Sequence, residues 1–180
     1  MTTTPKTLQE IQAAETAKWL MGTNYSGSSK PKFSFTRPAD TTAYTLGDTV
    51  GSITAPNSYI SVPSASYGVT GLIQGGQLIS DDIVSGMEIN CFLFSEDVTR
   101  VADNLAPTET FANISDRLVA VIVFTSAYPF GASNVLTGDV TSYNSFLRKG
   151  NETKLYPYFT AGSAFTPTSA QGFTLLLDTI

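Results

Sequence analysis

Carboxylates are the commonest charged side chains in this sequence, 15 against 10 lysines and arginines. Asp81 adjoins Asp82, Glu96 adjoins Asp97, and Asp103, Glu109 and Asp116 follow at wider intervals. Two carboxylates flanking a glycosidic bond can hydrolyse it, one as acid and the other as nucleophile or base. Adjacent residues, however, point to opposite sides of a strand or share a turn, so these pairs read as solvated loop charge. A calcium ion at Asp81, Asp82 or Asp103 would need a fuller oxygen cage, and the spacing of an EF-hand loop is absent. Histidine is missing altogether, which removes a Ser-His-Asp triad and the usual His-bearing zinc sites. One cysteine, Cys91, allows no internal disulfide. It lies within the apolar stretch "MEINCFLF", where a thiol behaves as a small hydrophobe. The glycines of "GLIQGGQL" lack the Gly-Lys-Ser/Thr ending of a phosphate-binding loop and read as a turn between strands. The chain is therefore read as non-enzymatic, with no cofactor and no metal.

Aromatic side chains offer a different chemistry, stacking on sugars. Trp19, Tyr25, Tyr59, Tyr67, Tyr128, Tyr143, Tyr156 and Tyr158 are the candidates. On strands such residues more commonly fill cores and interfaces. A carbohydrate-binding module stays open as an alternative on this ground.

These residues need a scaffold, and 180 of them suffice for one domain with its own hydrophobic core. Only 14% of residues are charged, well below the ~25% of typical soluble proteins. A surface poor in charge suits packing against other proteins. The net charge of −5 leaves nothing to neutralise phosphates, so nucleic acid is not an expected partner. Nor is a membrane: no run approaches the ~20 apolar residues of a spanning helix. The start "MTTTPKTLQE" lacks the apolar centre of a signal peptide.

Residues 1–32 read as an arm. Thr7 and Glu10 fit a helix-capping box, Leu8, Ile11, Glu15 and Trp19 follow at near-helical spacing, and Gly22 ends the pattern. A Ser/Gly tether then leads to the rest of the chain. A helix of about fifteen residues is marginal alone in water, so it needs a surface on which to dock. Trp19, Leu20 and Tyr25 are the expected interface residues, meeting a neighbouring copy or the surface of a partner protein.

From residue 33 onward the pattern is β. Phe33 and Phe35 share one strand face, and Met87, Ile89, Cys91 and Leu93 share another, opposite a face that starts polar and turns aromatic at Phe92 and Phe94. "LVAVIVF" at 118–124 is apolar on both faces, as a central strand would be. Pro157 within "KLYPYFTA" favours an edge strand. Short strands separated by Gly, Pro, Asn and Asp indicate an all-β, jelly-roll-like β-sandwich of about eight strands over residues 33–180.

The string "FTRPADTTAY", followed by Gly47 and Asp48, reads as a corner between two strands. Pro38 ends the first strand, Asp40 can accept turn N–H groups and pair with Arg37, Tyr44 re-enters the core, and Gly47-Asp48 supplies a tight turn. If the Arg37–Asp40 pair is exposed, losing Asp40 costs more than losing Arg37. This string resembles a signature of small virion proteins of tailed bacteriophages. Leu93, Phe94, Asp103 and Asn104 resemble a second stretch of that family. The ending from Phe165 through Thr166, Pro167, Ser169 and Ala170 to Phe173 and Thr174 resembles its closing hairpin. The resemblance covers roughly Phe33 to Asp178 and leaves the arm outside. It implies a virion protein, expected to be a capsid decoration (cement) protein, a homotrimer bound to the major capsid protein. The alternative station is the tail, neck or fibre attachment.

Overall fold

The computed structural model describes residues 30–51, 59–63, 70–110, 114–141, 145–147 and 152–179. The expected N-terminal helix, with Trp19, Leu20 and Tyr25, lies outside the described residues. Among the described residues nine strands follow in chain order: β1 (Lys32–Thr36), β2 (Ile60–Pro63), β3 (Thr70–Ser80), β4 (Ile89–Phe94), β5 (Leu118–Phe130), β6 (Ser133–Val140), β7 (Ser145–Leu147), β8 (Glu152–Ala161) and β9 (Gly172–Thr179).

All their pairings are antiparallel, in the order β1-β9-β3-β6-β5-β4-β8-β2, with the short β7 beside β3. With β7 set aside, the first half holds strands one, eight, three and six of the remaining eight. The second half holds five, four, seven and two. That interleaving is the double Greek key of a jelly roll. The β5–β6 hairpin carries the sheet from one half to the other, while β1 and β2 approach each other on the opposite side.

The core follows from strand alternation. Ile89, Cys91 and Leu93 of β4 face Leu175 and Leu177 of β9, Leu78 of β3, Leu136 of β6 and Phe124 of β5 within one buried cluster. Phe35 of β1 lies between the halves, 4.6 Å from the ring of Phe159 on β8 and 5.1 Å from that of Phe173 on β9. Each such ring pair contributes about 0.5–1.5 kcal/mol beyond the area it buries. The outer face of β4 is covered as well. Phe94 and Tyr158 join Val98 in a second cluster, with Phe92, Ile114, Leu118 and Tyr156 packed against it. The segment 95–117 supplies Val98 and Ile114, which explains why the outward positions of β4 turn aromatic.

Three expectations are corrected. Gln74-Gly75-Gly76 is not a turn but the middle of β3, beside a bulge between Ile73 and Gly75. A Cβ on Gly75 would lie 2.8 Å from the Gly138 carbonyl oxygen, and one on Gly76 would lie 2.9 Å from that of Leu176. The glycines let three backbones approach, the usual meaning of glycine within a strand. Pro157 is not on an edge strand, since β8 pairs with β4 on one side and β2 on the other. The described β2 ladder stops at Leu155, and the Phe159 carbonyl and Ala161 N–H bond the Val50 N–H and Asp48 carbonyl. By alternation the nitrogen of Pro157 faces that same side, between the two patches of pairing, where no donor is needed. Finally, β8 and β9 do not form a closing hairpin. They lie in opposite halves of the sandwich, and residues 162–171 cross its end.

Candidate functional site

That crossing brings the three distant motifs together at one end of the sandwich. β1 stops at Thr36, and the Arg37 N–H makes a final bond to the Gln171 carbonyl at 3.0 Å. Pro38 follows, and its carbonyl accepts the N–H groups of Asp40 at 2.9 Å and Ala170 at 3.2 Å. The chain turns there because proline fixes φ and offers no donor to continue the ladder.

The turn sends the Arg37 side chain inward, leaving the residue 2% exposed. Its Nε donates to the Tyr44 hydroxyl at 2.9 Å, and Nη1 donates to the carbonyls of Asp40 and Thr168, the latter at 3.0 Å. Nη2 donates to Asp40 Oδ1 at 3.0 Å and to Asp103 Oδ2 at 3.1 Å. A guanidinium has five N–H donors, and here each one has an acceptor. Asp103 is equally occupied. Its Oδ1 accepts the Tyr44 hydroxyl at 2.5 Å and the Gly51 N–H at 2.8 Å. The Tyr44 ring packs 5.0 Å from that of Phe165, while its N–H bonds the Phe165 carbonyl at 2.9 Å.

Around this centre the shorter bonds are local. Asp40 Oδ1 accepts the Thr42 N–H at 3.0 Å, and Asp48 Oδ2 accepts the Thr45 N–H at 2.6 Å and hydroxyl at 2.8 Å. Gly47 takes φ +92°, a left-handed conformation that side chains resist. The Asn104 amide, turned to suit its acceptors, donates to Asp48 Oδ2 at 3.1 Å and to the Ala43 carbonyl at 3.2 Å.

The protonation states follow. Burial pushes the Tyr44 hydroxyl far above its ordinary range, and its bond to Asp103 adds to that. Burial works against the charge on Arg37, but Tyr44, Asp40 and Asp103 outweigh it and raise its pKa. The Thr42 N–H, then Arg37, hold the Asp40 carboxyl below its usual value. The Arg37–Asp103 ion pair, with the Tyr44 hydroxyl bonded to both members, is a crosslink joining residues 37–51, 103–104 and 165–168. Its donors already have partners within the protein. The geometry therefore corrects the ranking read from sequence: Arg37 is buried, while Asp40 keeps 44% of its side chain exposed.

The other carboxylates serve their own loops. Asp81 Oδ1 accepts the Gly172 N–H at 2.8 Å, Asp82 Oδ1 the Ile83 N–H at 2.9 Å, and Glu109 the Thr99 N–H at 2.6 Å. Asp97 pairs with Arg100, and Glu96 with Arg117. Among the described residues no three His, Cys, Asp or Glu side chains gather around one point. Cys91 is buried, which pushes its thiol pKa far up. The described tyrosines form no single platform. Tyr59 lies 6.0 Å from Tyr156 with Lys154 over its ring, Tyr158 is buried against Thr49, and Tyr128 is exposed near the far end of β5. Trp19, Tyr25, Tyr67 and Tyr143 lie outside the described residues.

Two surface features were missed from sequence. At the end where β3 and β5 finish, Phe130 is 81% exposed, and Tyr128 and Ile83 are exposed beside the same loops. Asp40, Asp48, Asp81, Asp82 and Glu88 share that end, whereas Lys30, Lys32, Arg117 and Lys154 sit near the beginnings of β1, β5 and β8 at the other, where Asp178 pairs with Lys30 and Glu96 with Arg117. The second feature is an open apolar pocket of about 320 Å³ on the outer face of β4 and β8. The aromatic turn in the outward face of β4 was its only sequence signal. Compared with known proteins, the chain matches no family model, no curated protein and no solved structure.

Proposed function

We propose that this chain is a non-enzymatic structural protein of a tailed-bacteriophage virion. In this reading it is a capsid decoration (cement) protein that binds the outer face of the major capsid protein lattice as a homotrimer. One observation carries the reading: the jelly roll exposes Phe130, Tyr128 and Ile83 at the end where β3 and β5 finish, an end that also carries Asp40, Asp81 and Asp82. Exposed apolar groups of this size, rimmed by polar residues, mark protein–protein contact. Aromatic anchors supply most of the binding energy at such interfaces. The matching surface would offer an apolar depression with a lysine- or arginine-bearing rim. Each contact of ordinary size buries about 1,200–2,000 Å², and contacts repeated across a lattice reinforce one another. Bridging neighbouring capsomers in this way opposes the outward pressure of packaged DNA.

Quantitative mass spectrometry of purified virions tests the proposal. A decoration protein is present in proportion to the capsid lattice, whereas a neck, tail or fibre-attachment component is present only at the level of one ring. Ring-level stoichiometry would move the protein to that second station. Absence from purified particles would remove the virion reading.

A further inference from the structure

The pocket on the outer face of β4 and β8 has a floor of Phe92, Phe94 and Tyr158 and a wall of Val98 and Ile114, with Leu46 at its rim. Outward positions of an antiparallel sheet are ordinarily polar when they face water. Here Val98, Pro107, Glu109 and Ile114 border the aromatic floor, and a pocket of about 320 Å³ lies between them. Its size falls at the lower end of ordinary ligand sites.

We propose that this pocket is the docking site for the chain's own N-terminal segment, with Trp19 as the anchor. Residues 7–21, "TLQEIQAAETAKWLM", place Leu8, Ile11 and Trp19 on one helical face. A short amphipathic helix of this kind gains stability by laying its apolar face in a groove. The reach is sufficient. Ten residues lie between Trp19 and Lys30; with the helix taken to Met21, the nine steps from Met21 to Lys30 span up to about 30 Å when extended. Lys30 stands at the start of β1, where it pairs with Asp178. Phe33 and Phe35 of β1 stack on Phe159 inside the core, which sets them level with Tyr158 on the opposite, outer face of β8. Sheet faces lie about 10 Å apart, so rounding the sandwich needs less than the available length.

Tethering also selects the source of the segment. One aromatic anchor in a small pocket binds weakly between separate molecules, but a short linker supplies an effective concentration on the order of millimolar. The segment of the same chain therefore fills the pocket before that of a second copy. The inference does not depend on the virion reading.

Trp19 is the only tryptophan, so the emission of the full chain reports its surroundings directly. The experiment compares emission maximum and acrylamide quenching for the wild type, Leu46→Asp and Pro107→Glu over a wide range of protein concentration. Both substituted positions are exposed at the pocket, so the fold should persist, and circular dichroism melts check that it does. The wild type should show blue-shifted emission and weak quenching at every concentration. Each variant should shift toward free tryptophan, with quenching raised several-fold and the melt unchanged. Water-like emission in the wild type would overturn the proposal, as would variants that leave the emission unaltered. A blue shift that appears only at high concentration would also overturn it, because the occupant would then be a second copy.

Discussion

Replacing Arg37 by alanine removes a guanidinium whose five donors are all engaged and leaves Asp103 facing the core without its cation. The magnitude follows from burial. Arg37 has no side-chain exposure and Asp103 has 5%, so the variant carries a carboxylate that water barely reaches. Removing one member of a buried ion pair costs about 3–5 kcal/mol. For a domain of this size that corresponds to a melting temperature lower by roughly 6–20 °C, taking about 2–4 °C per kcal/mol. Guanidinium titration of wild type and variant, followed by far-ultraviolet circular dichroism, measures the loss, and an unchanged slope would show that both unfold from the same compact state. Arg37→Lys should recover little. An ammonium has three donors and no planar fork, so it cannot serve Tyr44, Thr168 and both carboxylates together. Adding Asp103→Ala to Arg37→Ala should cost less than the sum of the single changes by about 1–3 kcal/mol, since neither charge is then stranded. A loss below about 1 kcal/mol for Arg37→Ala, the range of surface pairs, would refute the crosslink.

Gly75→Ala should destabilise by about 1–3 kcal/mol, because its Cβ meets a backbone carbonyl rather than a movable side chain; chemical denaturation checks this. Burial keeps Cys91 and Tyr44 protonated in the fold, whereas the unfolded chain loses those protons near pH 8.5 and 10. The folded state then binds more protons, so stability is full below about pH 8.5 and falls as pH rises. Cys91→Ala should delay that fall until about pH 10 in melts recorded across the alkaline range. The native Cys91 thiol should resist a maleimide until denaturant is added, a reaction followed by mass. Asp40→Ala should lower the melting temperature less than Arg37→Ala does, since Asp40 meets solvent. Its share of stability, present above about pH 4, should disappear as pH falls, because the folded carboxyl stays ionised to lower pH than the unfolded one.

Sequence alternation located the core well where one face is simply apolar. Met87, Ile89, Cys91 and Leu93 are all buried, and Phe33 and Phe35 share the inward side of β1. It failed where the meaning of a residue depends on which strands become neighbours. Gly75 and Gly76 resemble a turn until β6 and β9 are placed on either side of them. Pro157 looks like an edge residue until the gap beyond Leu155 is seen. The same limit applies at the corner. Arg37 and Asp40 are three residues apart and could be paired by inspection, whereas Asp103 lies 66 residues from Arg37 and reaches it only through the sheet order. The exposed Phe130 gave no signal at all, because a hairpin that projects beyond its neighbours is a property of strand length and register.

The proposal that this chain is a structural component of a phage head is tested most directly by cryo-electron microscopy of virions that contain it. The account predicts density for a jelly roll on the outer face of the capsid lattice, repeated with the lattice. The end bearing Phe130 and Ile83 should be turned toward the major capsid protein. Density confined to the neck or tail, or a lattice free of this fold, would contradict it.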